Sequence, residues 1–356
     1  MLQNQEKTVI LSGEDVSLIV EKFGVDQLMD TLIMRLKLAV KNFDPIKTDI
    51  PIRSGFNYQA ENPGLVEWMP VHKKGEEVVI KVVGYHPKNP KQFNLPTILS
   101  SISSYDTKTG HLIGLCDGVL LTALRTGAAS AVASQFLAHP ESSVLGLVGC
   151  GAQAVTQLHA LSRIFDLKKV LIYDIDEKTM SSFKDRISML ELDLQVINAS
   201  LQQIIEISDI VCTETSIDVG TGPLFEYTTC KPHLHVNALG SDFPGKTELP
   251  LQLLQKSFVC PDFLEQAKIE GECQQLNDNE IGANWVEVMK NPDSHNALQN
   301  KMSVFDSTGW ALEDQVVLDL FLEIAKEFEI GLKVAIESVS EDAKNPYHFL
   351  RNTVQV

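Results

Sequence analysis

Apolar positions recur along this chain in two rhythms, and the changes between them divide it. From Ser12 the pattern is helical: Val16, Ile19, Val20 and Phe23 lie three or four apart, Ser12 stands as an N-cap before Glu14 and Asp15, and Gly24 ends the run. A second helix is predicted over about 27–40, which makes the first forty residues helix-rich. From Glu77 the texture becomes that of strands, VVIKVVGY, then TILSSISSYD, then HLIGLCD. The last two are joined by Asp106-Thr107-Lys108-Thr109-Gly110, a connection short enough to make them antiparallel. His86-Pro87-Lys88-Asn89-Pro90 is too proline-rich for regular structure and reads as a loop.

Residues 120–138, LLTALRTGAASAVASQFLA, predict one long helix in which Gly127 allows a close neighbour. Beyond it the rhythm changes again. VLGLVG, KVLIYD, LQVI, DIVCTET, HLHVNALG, SFVCPD and MSVFDS are short apolar runs separated by helical stretches, the pattern of buried parallel strands in βαβ units. The expected fold is α/β: a Rossmann-type, doubly wound parallel sheet after a segment with an antiparallel sheet. The stretch from Ala311 to Phe328 is helical again, and the polar residues from Ser338 onward are expected to be loosely held.

Composition narrows the partners. The 356 residues carry 30 Lys+Arg against 47 Asp+Glu, a net charge of −17, which repels phosphate backbones and anionic membranes. Nucleic acid and lipid surfaces are therefore excluded as expected partners, and small molecules remain. No signal-peptide pattern or spanning apolar run is found, and the six cysteines show no C-x-x-C spacing, so a cytoplasmic protein with free thiols is expected.

The first apolar strand of the second half runs into Gly149-Cys150-Gly151-Ala152-Gln153-Ala154 and then a helix, the G-x-G-x-x-A form of the dinucleotide fingerprint. Gly149 permits the tight turn, Gly151 lets backbone approach a diphosphate, and Ala154 lets helix and strand close up, with Ala152 and Gln153 at the helix N-terminus facing the anion. The next strand ends in Asp174, at the spacing of a carboxylate that grips the adenosine ribose, with Asp176 as its rival. A carboxylate there repels a 2′-phosphate, which favours NAD over NADP. Cys150 reads as a loop residue that offers only its backbone amide.

Other blocks are more particular: Lys81-x4-His86-Pro87, Leu95-Pro96-Thr97, Leu121-Thr122-Ala123-Leu124-Arg125-Thr126, Gly240-Ser241-Asp242-Phe243-Pro244-Gly245-Lys246-Thr247-Glu248-Leu249, Ile269-Glu270-Gly271-Glu272 and Phe305-Asp306-Ser307-Thr308-Gly309-Trp310-Ala311-Leu312-Glu313-Asp314. In that order and spacing, over nearly the whole chain, they resemble the ornithine cyclodeaminase/mu-crystallin family, and within it the bacterial ornithine cyclodeaminases. The resemblance implies a homodimer with two domains, residues 1–126 with 312–356 binding substrate and dimerising through an antiparallel sheet, and 127–311 binding NAD. It implies a redox-neutral ammonia-lyase that converts L-ornithine to L-proline, within a family that also holds amino-acid dehydrogenases, imine reductases and a ligand-binding crystallin.

By the same resemblance Arg53, Lys81 and Arg125 hold the substrate carboxylate, with Arg125 also approaching the cofactor. Lys81 and Arg125 interrupt apolar runs, as buried cations that need an anionic partner would. The bland alternatives are an edge-strand charge for Lys81 and a structural ion pair for Arg125. Asp242 follows a strand at the edge where parallel sheets present catalytic groups, and Gly240 and Gly245 are expected to leave room for substrate beside it. It is assigned the proton transfers that hydride loss from Cα requires, against the alternative of an Asx-turn residue. Glu67 matches a position near the distal amine of ornithine. Thr97, Thr215, Asn237 with Ala238, Lys246 and Ser307 match positions that line the cofactor pocket. His86 reads as structural, and His233 and His235 complete no metal set, so no metal is implied. Three positions depart from the family: Ser241 replaces a glycine, Thr308 stands where valine is usual against the substrate chain, and Trp68 replaces a smaller apolar residue.

Overall fold

Ser12 does cap a helix, Gly13–Phe23, through a reciprocal capping box with Asp15, and Gly24 at φ +91° ends it and starts the next, Val25–Lys41. These leading helices belong to a computed structural model that describes residues 6–58, 63–340 and 342–347. Most of the polar tail therefore lies within the described residues, and 341 and 348–356 lie outside them.

One sheet is built from both ends of the chain. Its strands are β1 (Thr8–Leu11), β2 (Thr48–Asp49), β3 (Ser54–Tyr58), β4 (Gly64–Lys73), β5 (Glu77–Tyr85), β6 (Ile98–Asp106), β7 (Leu112–Asp117) and β15 (Leu332–Val334). Their order is β15-β1-β7-β6-β5-β4-β2, with β3 also on β4, and every pairing is antiparallel except β1 with β7. The helix-rich reading of the first forty residues thus missed β1, which is only four residues long. The expected loop at His86–Pro90 also contains a short helix, Asn89–Gln92, because Pro90 falls in the first turn, where no N–H is needed.

Register separates the two faces of this sheet. Met69 pairs with Lys81, and Glu67 with Val83, so all four share a face with Val79 and Ile102. That face is covered by the helix Ala311–Glu327, which packs on β4, β5 and β6. The opposite face leaves Val82, Leu99 and Ile113 exposed.

The second sheet comprises β8 (Val144–Val148), β9 (Lys169–Tyr173), β10 (Gln195–Asn198), β11 (Ile210–Thr213), β12 (His235–Ala238), β13 (Phe258–Pro261) and β14 (Ser303–Asp306). It is wholly parallel in the order β10-β9-β8-β11-β12-β14-β13, a doubly wound sheet whose direction reverses between β8 and β11. The chain is an α/β protein with a Rossmann-type sheet and a separate, mainly antiparallel one.

The helix Val119–Leu137 joins them, buried almost all round. It packs on Val25–Lys41, on Ala311–Glu327 and on the helix after the glycine loop, Ala152–Ser162. A Cβ on Gly127 would lie 2.5 Å from the Thr156 carbonyl oxygen, so the predicted close helix contact is real and requires glycine. Among the described residues no helix is long and apolar enough to cross a membrane.

Candidate active site

The glycine loop lies at the reversal point. Gly149 takes φ +98°, and a Cβ there would lie 3.0 Å from the Glu214 carbonyl oxygen. At Gly151 a Cβ would meet no described atom within 4 Å, so open space stands over the N-terminus of the helix Ala152–Ser162, while Ala154 is fully buried beneath. The loop therefore fits a dinucleotide diphosphate, with space above the second glycine and contact below it. Asp174 accepts from the Cys150 amide at 2.7 Å and from the Asp176 amide at 2.8 Å, which sets its carboxylate against the loop. Its rival Asp176 is committed elsewhere, capping the helix Glu177–Ser181. The backbone amide that Cys150 offers points at Asp174, and burial pushes the buried Cys150 thiol up to about 12, far from a nucleophile. Arg186, which sequence reasoning passed over, donates to the carbonyls of Cys150 and Thr179, both at 2.7 Å, and stiffens the loop.

The C-terminal ends of β11, β12 and β14 carry the other cofactor candidates. Thr215 donates through amide and hydroxyl to Glu248 Oε1, at 2.8 and 2.6 Å, and the Gly240 amide donates to Glu248 Oε2 at 3.0 Å. A Cβ on Gly240 would lie 2.2 Å from that carboxylate, so the space Gly240 leaves is filled by Glu248 and not by substrate. Asn237 is fully buried and donates to Ser134 Oγ at 3.1 Å, and Ala238 ends its strand at 1% exposure. The Ser307 amide donates to the Ala238 carbonyl, and the buried Ser307 hydroxyl has no partner among the described residues. Thr97 is half-buried, and its carbonyl accepts from the His86 amide.

Asp242 and Lys246 form one unit: Lys246 Nζ donates to Asp242 Oδ1 at 2.7 Å. The Lys246 side chain is 4% exposed and that of Asp242 is 35% exposed. Burial opposes the charge on Lys246, but Asp242 and Tyr85 facing it more than offset this, and its pKa is raised. Gly245, at φ +80°, makes the turn between the two.

The three cations converge. Lys81 lies in the interior of the sheet, since β5 is flanked by β4 and β6, which rules out an edge-strand charge. Its Nζ is 2.9 Å from both carboxylate oxygens of Asp314. Arg125 donates to Glu313 Oε2 at 2.6 Å and brings Nε to 3.3 Å from Asp314 Oδ1. Arg53 donates to Glu67 Oε1 at 3.1 Å, to the Gly309 carbonyl at 2.9 Å and to the Thr308 carbonyl, with Nε 3.1 Å from Glu270 Oε1. Gly309 is wedged between the two arginines: at φ +88°, a Cβ on it would lie 2.7 Å from Arg125 Nη1. Burial, followed by the like charge of Arg125, lowers the Lys81 pKa to about 8, and burial raises Glu313 to about 7. Such a set suits an incoming carboxylate, which relieves the crowding of like charges.

Arg53 and Glu67 also line an open cleft of about 190 Å³ with Phe56, Phe243, Pro244 and Glu270, so the structure brings the neighbours of Asp242 to the Arg53–Glu67 pair. Trp68 does not face this cleft. It follows Glu67 in an extended strand, points to the opposite face and packs edge-on against Phe56, with centroids 5.7 Å apart. Thr308 turns its hydroxyl inward to Asp262 Oδ1 at 3.1 Å. The carboxylates Glu270, Glu313 and Asp314 stand in motif blocks, yet nothing local in the sequence shows that they face the cations.

The fold and the glycine loop define a dinucleotide-binding α/β protein in which three cations, Lys81, Arg125 and Arg53, stand close together among buried carboxylates. The sequence model of the ornithine cyclodeaminase/mu-crystallin family matches residues 14–329, and the chain belongs to that family. It is 42% identical to an L-lysine cyclodeaminase of Streptomyces rapamycinicus over 96% of this chain and 99% of that protein. A solved structure described as the structural basis for recognition of L-lysine, L-ornithine and L-2,4-diamino butyric acid by lysine cyclodeaminase superposes with a TM-score of 0.93, at 44% identity over 96% of this chain and 99% of that one. An archaeal alanine dehydrogenase dimer with bound NAD superposes with a TM-score of 0.82, at 29% identity over 93% of this chain and all of that one.

Proposed function

We propose that the protein is an NAD-dependent cyclodeaminase that converts an L-α,ω-diamino acid to a cyclic imino acid and ammonia. L-Lysine, giving L-pipecolate, is placed ahead of L-ornithine, giving L-proline, because the 42% identical relative is a lysine cyclodeaminase. The observation that carries the reading is the buried pair Lys81 and Arg125 standing on Asp314, on the sheet face that also presents Glu67.

Thr215, Asn237, Ala238 and Ser307, at the ends of β11, β12 and β14, would hold the nicotinamide end of NAD, which when bound would supply the hydride acceptor and donor, so that Cα is oxidised and the cyclic imine reduced in one turnover. Lys81, Arg125 and Arg53 hold the α-carboxylate and thereby fix the direction of the Cα–H bond. Asp242 takes a proton from the α-ammonium, since hydride loss needs a neutral amine, and Lys246 keeps its carboxylate in place. The ω-ammonium gives a proton to solvent, the neutral ω-amine forms the new C–N bond at Cα, and the new ring nitrogen sheds its second proton to solvent. The α-nitrogen leaves as ammonia, with a proton returned from Asp242.

The same reading includes a homodimer, supported by the exposed apolar face at Val82, Leu99 and Ile113 and by the dimeric alanine dehydrogenase. It keeps the domain division at 126/127 and 311/312, and the free thiols of all six cysteines suit a reducing cytoplasm.

The test is incubation of purified protein with catalytic NAD and lysine, ornithine, 2,4-diaminobutyrate or alanine. Ammonia and a cyclic product without net NADH is the expected result. Stoichiometric NADH with a keto acid would make the protein a dehydrogenase, and silence across the panel would make it an imine reductase or a binding protein.

A further inference from the structure

Thr308 stands where valine is usual against the substrate chain, yet both branches of its side chain are engaged inside the protein. The hydroxyl donates to Asp262 Oδ1 at 3.1 Å, and the methyl closes on Gly271, where an added Cβ would lie 2.9 Å from Thr308 Cγ2. Both Thr308 and Asp262 are buried. What Thr308 offers the site is its backbone: its carbonyl and that of Gly309 both accept from Arg53 Nη2, the Gly309 bond at 2.9 Å.

The Thr308 carbonyl and the Gly309 amide belong to one trans peptide unit and point in opposite directions. Arg53 takes the carbonyl, and Asp262 Oδ2 takes the amide at 2.7 Å. One peptide plane is thus held between a cation and an anion, and the carboxylate polarises it and strengthens the carbonyl as an acceptor. Asp262 is itself anchored at the end of β13, where Oδ1 accepts from the Phe263 amide at 2.6 Å as well as from the Thr308 hydroxyl. Burial pushes the Asp262 carboxyl up, and the Gly309 and Phe263 amides, the Thr308 hydroxyl and the Arg53 charge all oppose that shift.

The geometry points to Thr308 as a positioning residue for Arg53, acting through Asp262 and the 308–309 peptide, and not as a contact for the carbon chain of the substrate. This rests on the reading that Arg53 holds the substrate carboxylate. Valine would keep the methyl on Gly271 but leave Asp262 Oδ1 with the Phe263 amide alone, so the peptide and the guanidinium on it would gain latitude. Such a change is felt by the carboxylate, which every amino acid carries, whatever the length of its side chain.

The experiment measures, by calorimetry on the NAD-loaded enzyme, the affinity for L-norleucine, which has the carbon chain of lysine without the ε-amine, and for L-alanine, too short for a chain contact. Thr308→Val should weaken both ligands by the same factor, roughly 3–10-fold for one hydrogen bond, and Thr308→Ser, which keeps the hydroxyl, should stay near wild type. Arg53→Lys keeps a charge but not the fork that spans two carbonyls, and in that background Thr308→Val should change either affinity by less than about 2-fold. Comparing Thr308→Ser with Thr308→Ala isolates the hydroxyl a second time if the valine variant does not fold. No loss, a loss confined to norleucine, or an undiminished loss beside Arg53→Lys overturns the inference. Wild type that binds both ligands but turns over no diamino acid overturns the cyclodeaminase reading and leaves the inference to the binding result. Wild type that binds neither ligand overturns the inference together with the carboxylate site.

Discussion

Lys81 Nζ lies 2.9 Å from each carboxylate oxygen of Asp314, with the two side chains 1% and 0% exposed. A strand in the first quarter of the chain is thus bonded to a helix near its end, at the place where substrate carboxylate is expected.

Removing the anion should be worse than removing the cation. Asp314→Asn leaves Arg125 with Glu313 alone and takes from Lys81 the carboxylate it stands on, and should cost about 3 kcal/mol or more in a urea unfolding titration. Lys81→Met leaves Asp314 paired with Arg125 and should cost less, while abolishing measurable carboxylate binding. Because burial and Arg125 lower Lys81 to about 8, the affinity for L-norleucine should fall as pH rises through that value, when the ammonium loses its proton. Lys81→Arg, always charged, should remove this limb from a fluorescence titration.

Asp242→Asn keeps the hydrogen bond from Lys246 but cannot accept a proton. Turnover should drop by roughly 100- to 10,000-fold while NAD binding, followed by nucleotide fluorescence, stays near that of wild type. Unchanged turnover would remove Asp242 from the mechanism.

The glycine loop separates two aspartates that sequence spacing left as rivals. Asp174→Ala should weaken NAD strongly, since it loses the carboxylate set against the Cys150 amide, and should narrow the preference for NAD over NADP. Asp176→Ala should leave both affinities unchanged, because this side chain serves the helix Glu177–Ser181. Binding curves for the two nucleotides on both variants decide the assignment.

A fourth expectation concerns stability and lies away from the site. Asp319 is raised to about 7, by burial first and then by Glu77 facing it. The folded chain holds that proton to higher pH than the unfolded chain does, so ionising Asp319 costs stability as pH rises from about 4 through 7. Asp319→Asn should come nearest to wild type below about pH 4 and gain on it through pH 7, by up to about 4 kcal/mol at pH 8 in thermal melts.

What was legible in the sequence was local. The parallel strands are continuous apolar runs, and the glycine loop states its own geometry in six residues, so both could be read without neighbours. Lys81 and Arg125 stood out as charges within apolar stretches. Their counter-ions did not, because Glu313 and Asp314 in the first turn of a helix look like ordinary dipole partners, and only packing on β4 and β5 turns them inward. Trp68 was misplaced for a related reason: adjacency to Glu67 in sequence means opposite faces in a strand. Gly240 pointed to an open space, but the side chain that fills it, Glu248, lies eight residues on and is brought back by its bonds to Thr215 and Gly240. β1 and β15, of four and three residues, are too short to carry a pattern, so their pairing with each other and of β1 with the legible strand β7 went unread.

That last pairing sets an order of events for a chain emerging from the ribosome. β1 is made first, yet one of its two neighbours arrives only with Leu332, and the anions that neutralise Lys81 and Arg125 arrive only with Glu313 and Asp314. The parallel sheet, complete by Asp306, can close before then, while the first sheet waits with its buried cations uncompensated. A ribosome stalled before residue 313 would therefore present a finished parallel sheet joined to an unfinished first sheet, the form in which a chaperone or protease would meet it.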